Sequence, residues 1–493
     1  MAYGYKSGDR QQGFLLPPSM DEWLDEDHLA YFVIDTVKLI DTTAFHKIHP
    51  EGPGRPAYEP EMMLGLLLYA YATGVRSSRR IMAACRSDLA YKVIAVNLVP
   101  DHRTIARFRA DNEEAIRSVF VEVLKLCDAA GLASLGQIAI DGTKIGSDAA
   151  LDQNRSKEWI CTEINKILGE AEAADTSEEV APPIFATELP ECVGGRHGRL
   201  ERLRAALAQI EAQEQAIRDE EDKKAARARQ EAARGRKLPG RKPSDPHAAL
   251  VRAEADLLAM RVRAETDPAV DLDTAQRLLA EATAAAESAP PSTDKLVANI
   301  TDPESRIMKT TGGWVQGYNV QAAVNAEQIV IGYATTQDHN DVNQFRPMIK
   351  AAQFAAGTAG IEHDIALALA DAGYWSDDNA TAAGPNRLIA TTKDWKQRKA
   401  ARELGVTTGP PPEDASVLEQ MEHRLRTPEG AAAYATRSYT VEPVFGDTKE
   451  NRGYRRFMRR GRDAANSEAG LIFAVHNLLK IFHHNPSVVF APN

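Results

Sequence analysis

The sequence predicts an α+β or α/β protein in which a helical N-terminal domain is followed by a mixed-sheet domain, itself interrupted by a helical hairpin. Three observations predict this. Apolar residues recur at helical spacing from Asp21 to about Ser134, and strand-like alternation begins only at Gly136. A stretch rich in Ala, Glu, Arg and Gln, from about Arg196 to Ser288, then separates the first strand from all the others. The resulting boundaries are 1–134 for the helical domain, 135–482 for the mixed-sheet domain, 196–288 for the insertion and 483–493 for a tail. A chain of 493 residues exceeds one compact core, so two to three structural units are expected.

Within the helical domain the apolar run Met62 to Ala72 is about half the length a membrane-spanning helix needs, and reads as a buried helix. Pro100-Asp101-His102-Arg103-Thr104-Ile105-Ala106-Arg107-Phe108-Arg109 starts a helix capped by Asp101, with Arg103 and Arg107 on one face and Arg109 closing the run. A second basic knot, Arg76, Arg79 and Arg80, surrounds a start at Ser77. Two helices with basic, hydroxyl-rich starts fit a helix-turn-helix-like arrangement in which helix N-termini and arginines meet phosphates. A solvated charged face on a helical bundle would give the same pattern.

Gly136 to Asp141 alternates and ends in Asp-Gly, a strand expected to deliver a carboxylate at its tip. In the insertion Leu200, Leu203, Leu207, Ile210 and Ile217 lie on a heptad seam, and Leu250, Ala253, Leu257 and Met260 resume it after a Gly/Pro break. An antiparallel hairpin is the simplest reading; its basic tip could touch DNA or be a solvated loop. Strands return at Trp314–Val324 and Gln328–Ala334 as a hairpin turning at residues 325–327. A helix over Asp341–Ala355 follows. The apolar run 365–370 then ends in Asp371, a second strand tipped by a carboxylate, and Arg387–Thr391 makes one more short strand. Residues 393–422 read as a loop with some helix, and Ser438–Phe482 as a long helix. Trp314, Tyr318 and Trp375 are expected to pack in cores, and Asp338-His339 to serve a helix start.

Composition removes several classes of function. Hydrophobic residues at 43% and charged residues at 26% are those of a folded protein, and no leader with a small-residue cleavage site is evident, so a cytoplasmic location is expected. Cys85, Cys127, Cys161 and Cys192 form no CxxC pair, which argues against a zinc site or a disulfide framework. The net charge of −11 by itself disfavours a nucleic-acid partner. Phosphate binding follows local Lys/Arg placement, however, and here the cations are clustered.

Asp141 and Asp371, each at a strand end, are the candidate metal carboxylates, although Asp also caps helices and starts turns. Phosphodiester cleavage needs an activated water or hydroxyl and neutralisation of charge on the phosphate, which two divalent ions about 4 Å apart supply together. Such ions want hard oxygen ligands. Glu442 would add a third carboxylate from a helix. Tyr434, Arg437, Glu442 and Lys449 fall within about four helical turns. Arg437 and Lys449 could hold a DNA backbone while Glu442 faces the metal. Arg452, Arg455, Arg456, Arg459, Arg460 and Arg462, interleaved with Tyr454 and Phe457, form the densest basic run. It fits phosphate contacts with stacking, or a solvated helix face that lacks acidic partners. Lys144 could reach a phosphate or be an exposed turn lysine.

With these residues in view, the sequence resembles the insertion-sequence transposases that have a ribonuclease H-like DDE domain. Gly54-Arg-Pro-Ala-Tyr-Glu-Pro-Glu-Met-Met, Gly74-Val-Arg-Ser-Ser-Arg-Arg and Pro100–Arg109 are similar to the family's N-terminal helical domain. Ile140-Asp141-Gly-Thr-Lys144 resembles its first catalytic motif. Asp302-Pro-Glu-Ser-Arg306, Gln316-Gly-Tyr-Asn-Val-Gln321 and Ala370-Asp371-Ala-Gly-Tyr374 resemble the signatures that follow. Val441-Glu442-Pro-Val-Phe-Gly-Asp-Thr-Lys449 resembles the third, with the Tyr, Arg, Glu, Lys quartet; four residues separate Arg437 from Glu442 where many relatives have three. The resemblance implies an enzyme using Mg²⁺ or Mn²⁺, as two ions on Asp141, Asp371 and Glu442. Its partners would be double-stranded DNA, both transposon terminal repeats and target, and further copies of itself. Its reaction would be hydrolysis at transposon ends to free 3′ hydroxyls, which then attack target DNA. A nuclease that cuts without joining, a DNA-binding repressor and a decayed domesticated transposase are the alternatives.

Overall fold

The computed structural model describes residues 19–46, 57–178, 196–235, 243–289, 295–393 and 396–484, except positions 266, 268, 269, 363, 397, 398, 400–402 and 404. Gly54-Arg-Pro, most of the basic stretch in the insertion (236–242), Cys192 and nearly all of the tail lie outside the described residues. Two compact units emerge: residues up to Asp148 together with those from Ile307, and Ala149–Arg306.

The first unit opens with helices α1 (Leu29–Leu39), α2 (Thr43–His46), α3 (Pro60–Ala72), α4 (Ser78–Ser87), α5 (Leu89–Ile94), α6 (His102–Asp111) and α7 (Glu113–Ala129). Their starts follow side-chain chemistry. Asp88 accepts from Ala90 N at 2.9 Å to begin α5, and Asp101 from Arg103 N at 2.8 Å to begin α6. The apolar run is α3, buried along nearly its whole length, so it belongs to the core. No described helix is long and apolar enough to cross a membrane. These helices and the sheet share one hydrophobic core, although the sequence pattern changes between them near residue 134.

That sheet comprises β1 (Gln137–Gly146), β4 (Arg306–Thr310), β5 (Gly313–Asn325), β6 (Val330–Thr336), β7 (Leu367–Ala370) and β8 (Asn386–Ile389), the strands β2 and β3 belonging to the second unit. Its order is β4-β5-β1-β7-β8, with β6 also on β5. β1 is antiparallel to β5 and parallel to β7, and the expected β5–β6 hairpin is present. Central position explains composition: Ile138, Ala139 and Ile140 are buried because both faces of β1 are covered. α12 (Phe345–Ala359) packs on β6, and Trp314, expected in a core, is instead 62% exposed on β5.

Two features of this unit differ from the sequence reading. Asp141 is not at a strand tip, because β5 carries antiparallel pairing from Ile138↔Asn325 on to Gly146↔Gly317. What stops there is the parallel side, whose register ends at Ile140↔Ala370. The long C-terminal helix is also broken. After α13 (Asp377–Thr381), α14 (Val417–Arg426) and α15 (Pro428–Ala435), the chain forms α16 (Arg437–Thr440), α17 (Glu442–Gly446), a π turn over Asp447–Asn451, an irregular stretch, and α18 (Arg462–His484). Burial causes the break. Tyr454 and Phe457 are both fully buried, and Tyr454 stacks on Tyr71 with its hydroxyl donating to Tyr71 O, a course no continuous helix could follow. Gly453 supplies the left-handed backbone, φ 71°, that this turn needs. α18 then closes the edge of β6: Asn477 accepts from Val330 N and donates to Val330 O, both at 2.9 Å, and Asn466 accepts from Thr335 N.

The second unit is larger than a two-helix hairpin. It holds α8 (Lys157–Glu178), α9 (Arg196–Ala233), α10 (Pro246–Ala264) and α11 (Leu272–Ser288), with a small ribbon of β2 (Asn154–Ser156) against β3 (Val297–Asn299). α9 packs against α8 and α10, and α10 against α11. The heptad seam is real where it is buried: Leu203 and Ile210 enclose a small core with Ile160 of α8 and Ala298 of β3. Asp271, accepting from Asp273 N and Thr274 N, starts the extra helix α11 that periodicity alone merged with α10.

Candidate active site

Asp141 and Asp371 occupy the next matching positions after Ile140↔Ala370, so two adjacent parallel strands present carboxylates side by side. Asp371 stands at the end of β7 and accepts from Gly373 N at 2.9 Å. Asp141 accepts from Gly142 N at 2.7 Å and from the buried Arg437 guanidinium, Nη1 to Oδ2, at 3.2 Å. Burial pushes the Asp141 carboxyl up to about 7; Arg437 opposes this, and Asp371 adds to it. Arg437 in turn is lowered by burial but held above its ordinary range by Asp141, Tyr434 and Asp371. Tyr434 hydrogen-bonds Arg437. Arg437 therefore positions a carboxylate and is not turned to a DNA backbone.

Lys449 also works inward. Its Nζ donates to Lys144 O at 3.0 Å and to Thr143 Oγ1, so the π turn fastens the C-terminal segment to β1 just beyond Asp141. Burial lowers the Lys449 ammonium below its usual value. Lys144, expected at a phosphate or in an exposed turn, pairs with Asp341 at 3.3 Å. Asp341 is the residue sequence reasoning missed, because Asp338-His-Asn-Asp341 looks like ordinary helix-start chemistry. Glu442 is exposed on α17, apart from these contacts. Among the described residues no three His, Cys, Asp or Glu side chains gather closely enough to hold a metal ion. The donor chemistry of the aspartate pair nevertheless fits a hard divalent cation: two carboxylates stand at neighbouring positions, and burial moves one of them up to about 7 in spite of Arg437.

The basic residues divide into two sets. Arg79, Arg80, Arg103 and Arg107 are exposed, as a phosphate-facing role requires. Arg109 is buried, donating to Tyr71 Oη at 3.2 Å, to Arg76 O at 3.1 Å and to Ser78 Oγ, so it is a core residue. Arg76 lies over the Tyr454 ring and donates to Gly453 O and Arg456 O, clasping the basic stretch. That stretch is not short of acidic partners. Arg452 is buried on Asp447, Arg455 pairs with Glu450, Arg456 and Arg460 with Asp148, and Arg459 with Glu113. Two of these partners are far along the chain, Asp148 and Glu113 lying more than 300 residues away, whereas Asp447 and Glu450 stand five residues before the arginines they meet.

Comparison with known proteins gives two matches at opposite ends of the chain. Residues 18–111 match the Transposase domain (DUF772), and residues 392–482 match the Transposase DDE domain. No curated protein and no solved structure matches. These matches point to a transposase. The chain carries, in order, the helical and DDE domains of an insertion-sequence DDE transposase.

Proposed function

We propose that this transposase cleaves DNA at transposon ends and joins the freed 3′ hydroxyls to target DNA, using Asp141, Asp371 and Glu442 as its acids. The observation that carries this reading is the aspartate pair at matching positions on β1 and β7, in a chain bearing both transposase domains. The mixed sheet, with β1 between an antiparallel β5 and a parallel β7, supports a ribonuclease H-like domain over 135–482 interrupted by the helices of 196–288.

Asp141 and Asp371 would hold Mg²⁺ or Mn²⁺, with Glu442 joining them from α17 once DNA is bound, and a second ion completing the set. Bound there, the cations would activate the attacking oxygen and neutralise charge on the phosphate. The chain's own groups do the rest. Arg437 keeps Asp141 oriented, and Lys449 keeps β1 in register with the C-terminal segment. Exposed Arg79, Arg80, Arg103 and Arg107 would meet the DNA backbone, as would Arg455, Arg456 and Arg459 on exchanging their carboxylates for phosphates. Each transfer forms one P–O bond to water or a sugar hydroxyl and breaks one to the departing strand. Two ends must be held together, so an oligomer on DNA belongs to the proposal.

The test is a labelled duplex carrying the element's own end, incubated with Mg²⁺ or Mn²⁺ against EDTA. Wild type should nick to a 3′ hydroxyl and Glu442→Gln should not. Tight binding without cleavage by wild type would instead favour a DNA-binding or decayed protein. A second expectation concerns the basic stretch. Arg455→Ala with Arg459→Ala should weaken binding for every DNA sequence and reduce the slope of log affinity against log salt by up to about 2. An unchanged slope would place the phosphate track elsewhere.

A further inference from the structure

Asp341, the acid that opens the turn before α12, stands with Asp371 beside Gly373. Its Oδ1 accepts from Asn319 Nδ2 at 2.6 Å, Gln321 Nε2 at 2.8 Å and Lys144 Nζ at 3.3 Å. These donors reach both strands of the site. Lys144 follows Asp141 by three residues on β1, and Gln321 accepts the hydroxyl of Tyr374, three residues after Asp371. The network fills the space beside Gly142 so fully that a Cβ there would lie 2.2 Å from Gln321 Nε2 and 2.8 Å from Asp341 Oδ1.

A Cβ on Gly373 would meet Asp371 Oδ1 at 3.0 Å and Asp341 Oδ2 at 3.5 Å, so both carboxylates overlook the same small space. Asn319 is fully buried on the filled side, and its Oδ1, 3.0 Å from the Cβ position of Gly142, has no hydrogen-bond partner among the described residues. A buried carbonyl oxygen left bare is unfavourable unless something supplies a proton or positive charge. Mg²⁺ bound by one or two carboxylates keeps several waters, which can donate to carboxylate oxygens such as Asp341 Oδ2.

We propose that Asp341 is a positioning residue of the cation site, its Oδ2 receiving the hydration shell of the ion held by Asp141 and Asp371 while Lys144, Gln321 and Asn319 fix its far oxygen. This rests on the reading that the aspartate pair binds a divalent cation. The test is Mn²⁺ binding by titration calorimetry to the full chain without DNA, for wild type, Asp341→Asn, Gly373→Ala and Asp141→Asn, with melting followed in EDTA. Asp341→Asn should weaken Mn²⁺ binding about 10- to 100-fold, the usual effect of losing an outer-shell partner, with little change in melting. Gly373→Ala puts a methyl group over the same space on a helical backbone that accepts alanine, and should weaken binding too. If Asp341→Asn does not fold, Asp341→Glu, which keeps the charge and shifts the carboxylate, is read in its place, since the methyl group of Gly373→Ala also approaches Asp371 Oδ1. Unchanged Mn²⁺ affinity in both, with loss in Asp141→Asn, would overturn the role of Asp341 and leave the aspartate pair standing. Unchanged affinity in Asp141→Asn as well would overturn the cation reading itself.

Discussion

Asp141→Asn should lower DNA cleavage by at least about 10³-fold, the several kcal/mol of charge stabilisation that a cation at this position would supply, while DNA affinity stays within about twofold. The substitution keeps the shape of the side chain and removes only its charge. Its effect on stability should run the opposite way. The Asp141 carboxyl is moved up to about 7, chiefly by burial. A folded value above the unfolded one means that its contribution is fully present below about pH 4 and is lost as pH rises through about 7. At pH 8 in EDTA the ionised Asp141 therefore weakens the fold, and the asparagine variant should melt no lower than wild type. An inactive variant that also melts far lower would attribute the lost cleavage to misfolding. Retained cleavage would remove Asp141 from the reaction.

How far this site could be read from sequence depends on the range of the interaction. The Asp101 cap, the β5–β6 hairpin and the carboxylate closing β7 are local features, set by residues a few positions apart, and each stands where alternation and turn chemistry put it. Pairing across the chain is another matter. Nothing near Arg459 hints that Glu113 will neutralise it, nor does anything near Lys449 hint that it will fasten to the backbone of β1. Asp141 was misplaced at a tip because a strand's end depends on its neighbours: β5 is thirteen residues long and β7 only four. Asp341 went unnoticed for a related reason. Its three donors come from β1 and β5, and only the folded sheet brings them together.

Arg109→Ala should be the most destabilising of the arginine substitutions, by about 3–5 kcal/mol, because it breaks a buried charged network and leaves its partners in place. Arg109 on α6 donates to Tyr71 on α3, whose hydroxyl donates to Glu468 Oε1 on α18 at 3.0 Å. The other Glu468 oxygen accepts from Met458 N at 2.9 Å. One network thus ties the N-terminal helices, the basic stretch and the C-terminal helix. Burial raises the Glu468 carboxyl above its ordinary range, with Arg109 the first group to oppose it. Without Arg109 that carboxyl has lost its main cation. Being raised, it contributes stability that is present below its unfolded pKa and lost as pH rises through its folded value. The melting temperature of Arg109→Ala should accordingly drop by roughly 10 °C near neutral pH and recover in part as the solution is acidified. Arg107→Ala, on the exposed face of the same helix, should melt like wild type and weaken DNA binding instead. Were Arg109→Ala to keep its melting temperature and lose DNA binding, this arginine would return to the phosphate-facing set where its sequence context first put it.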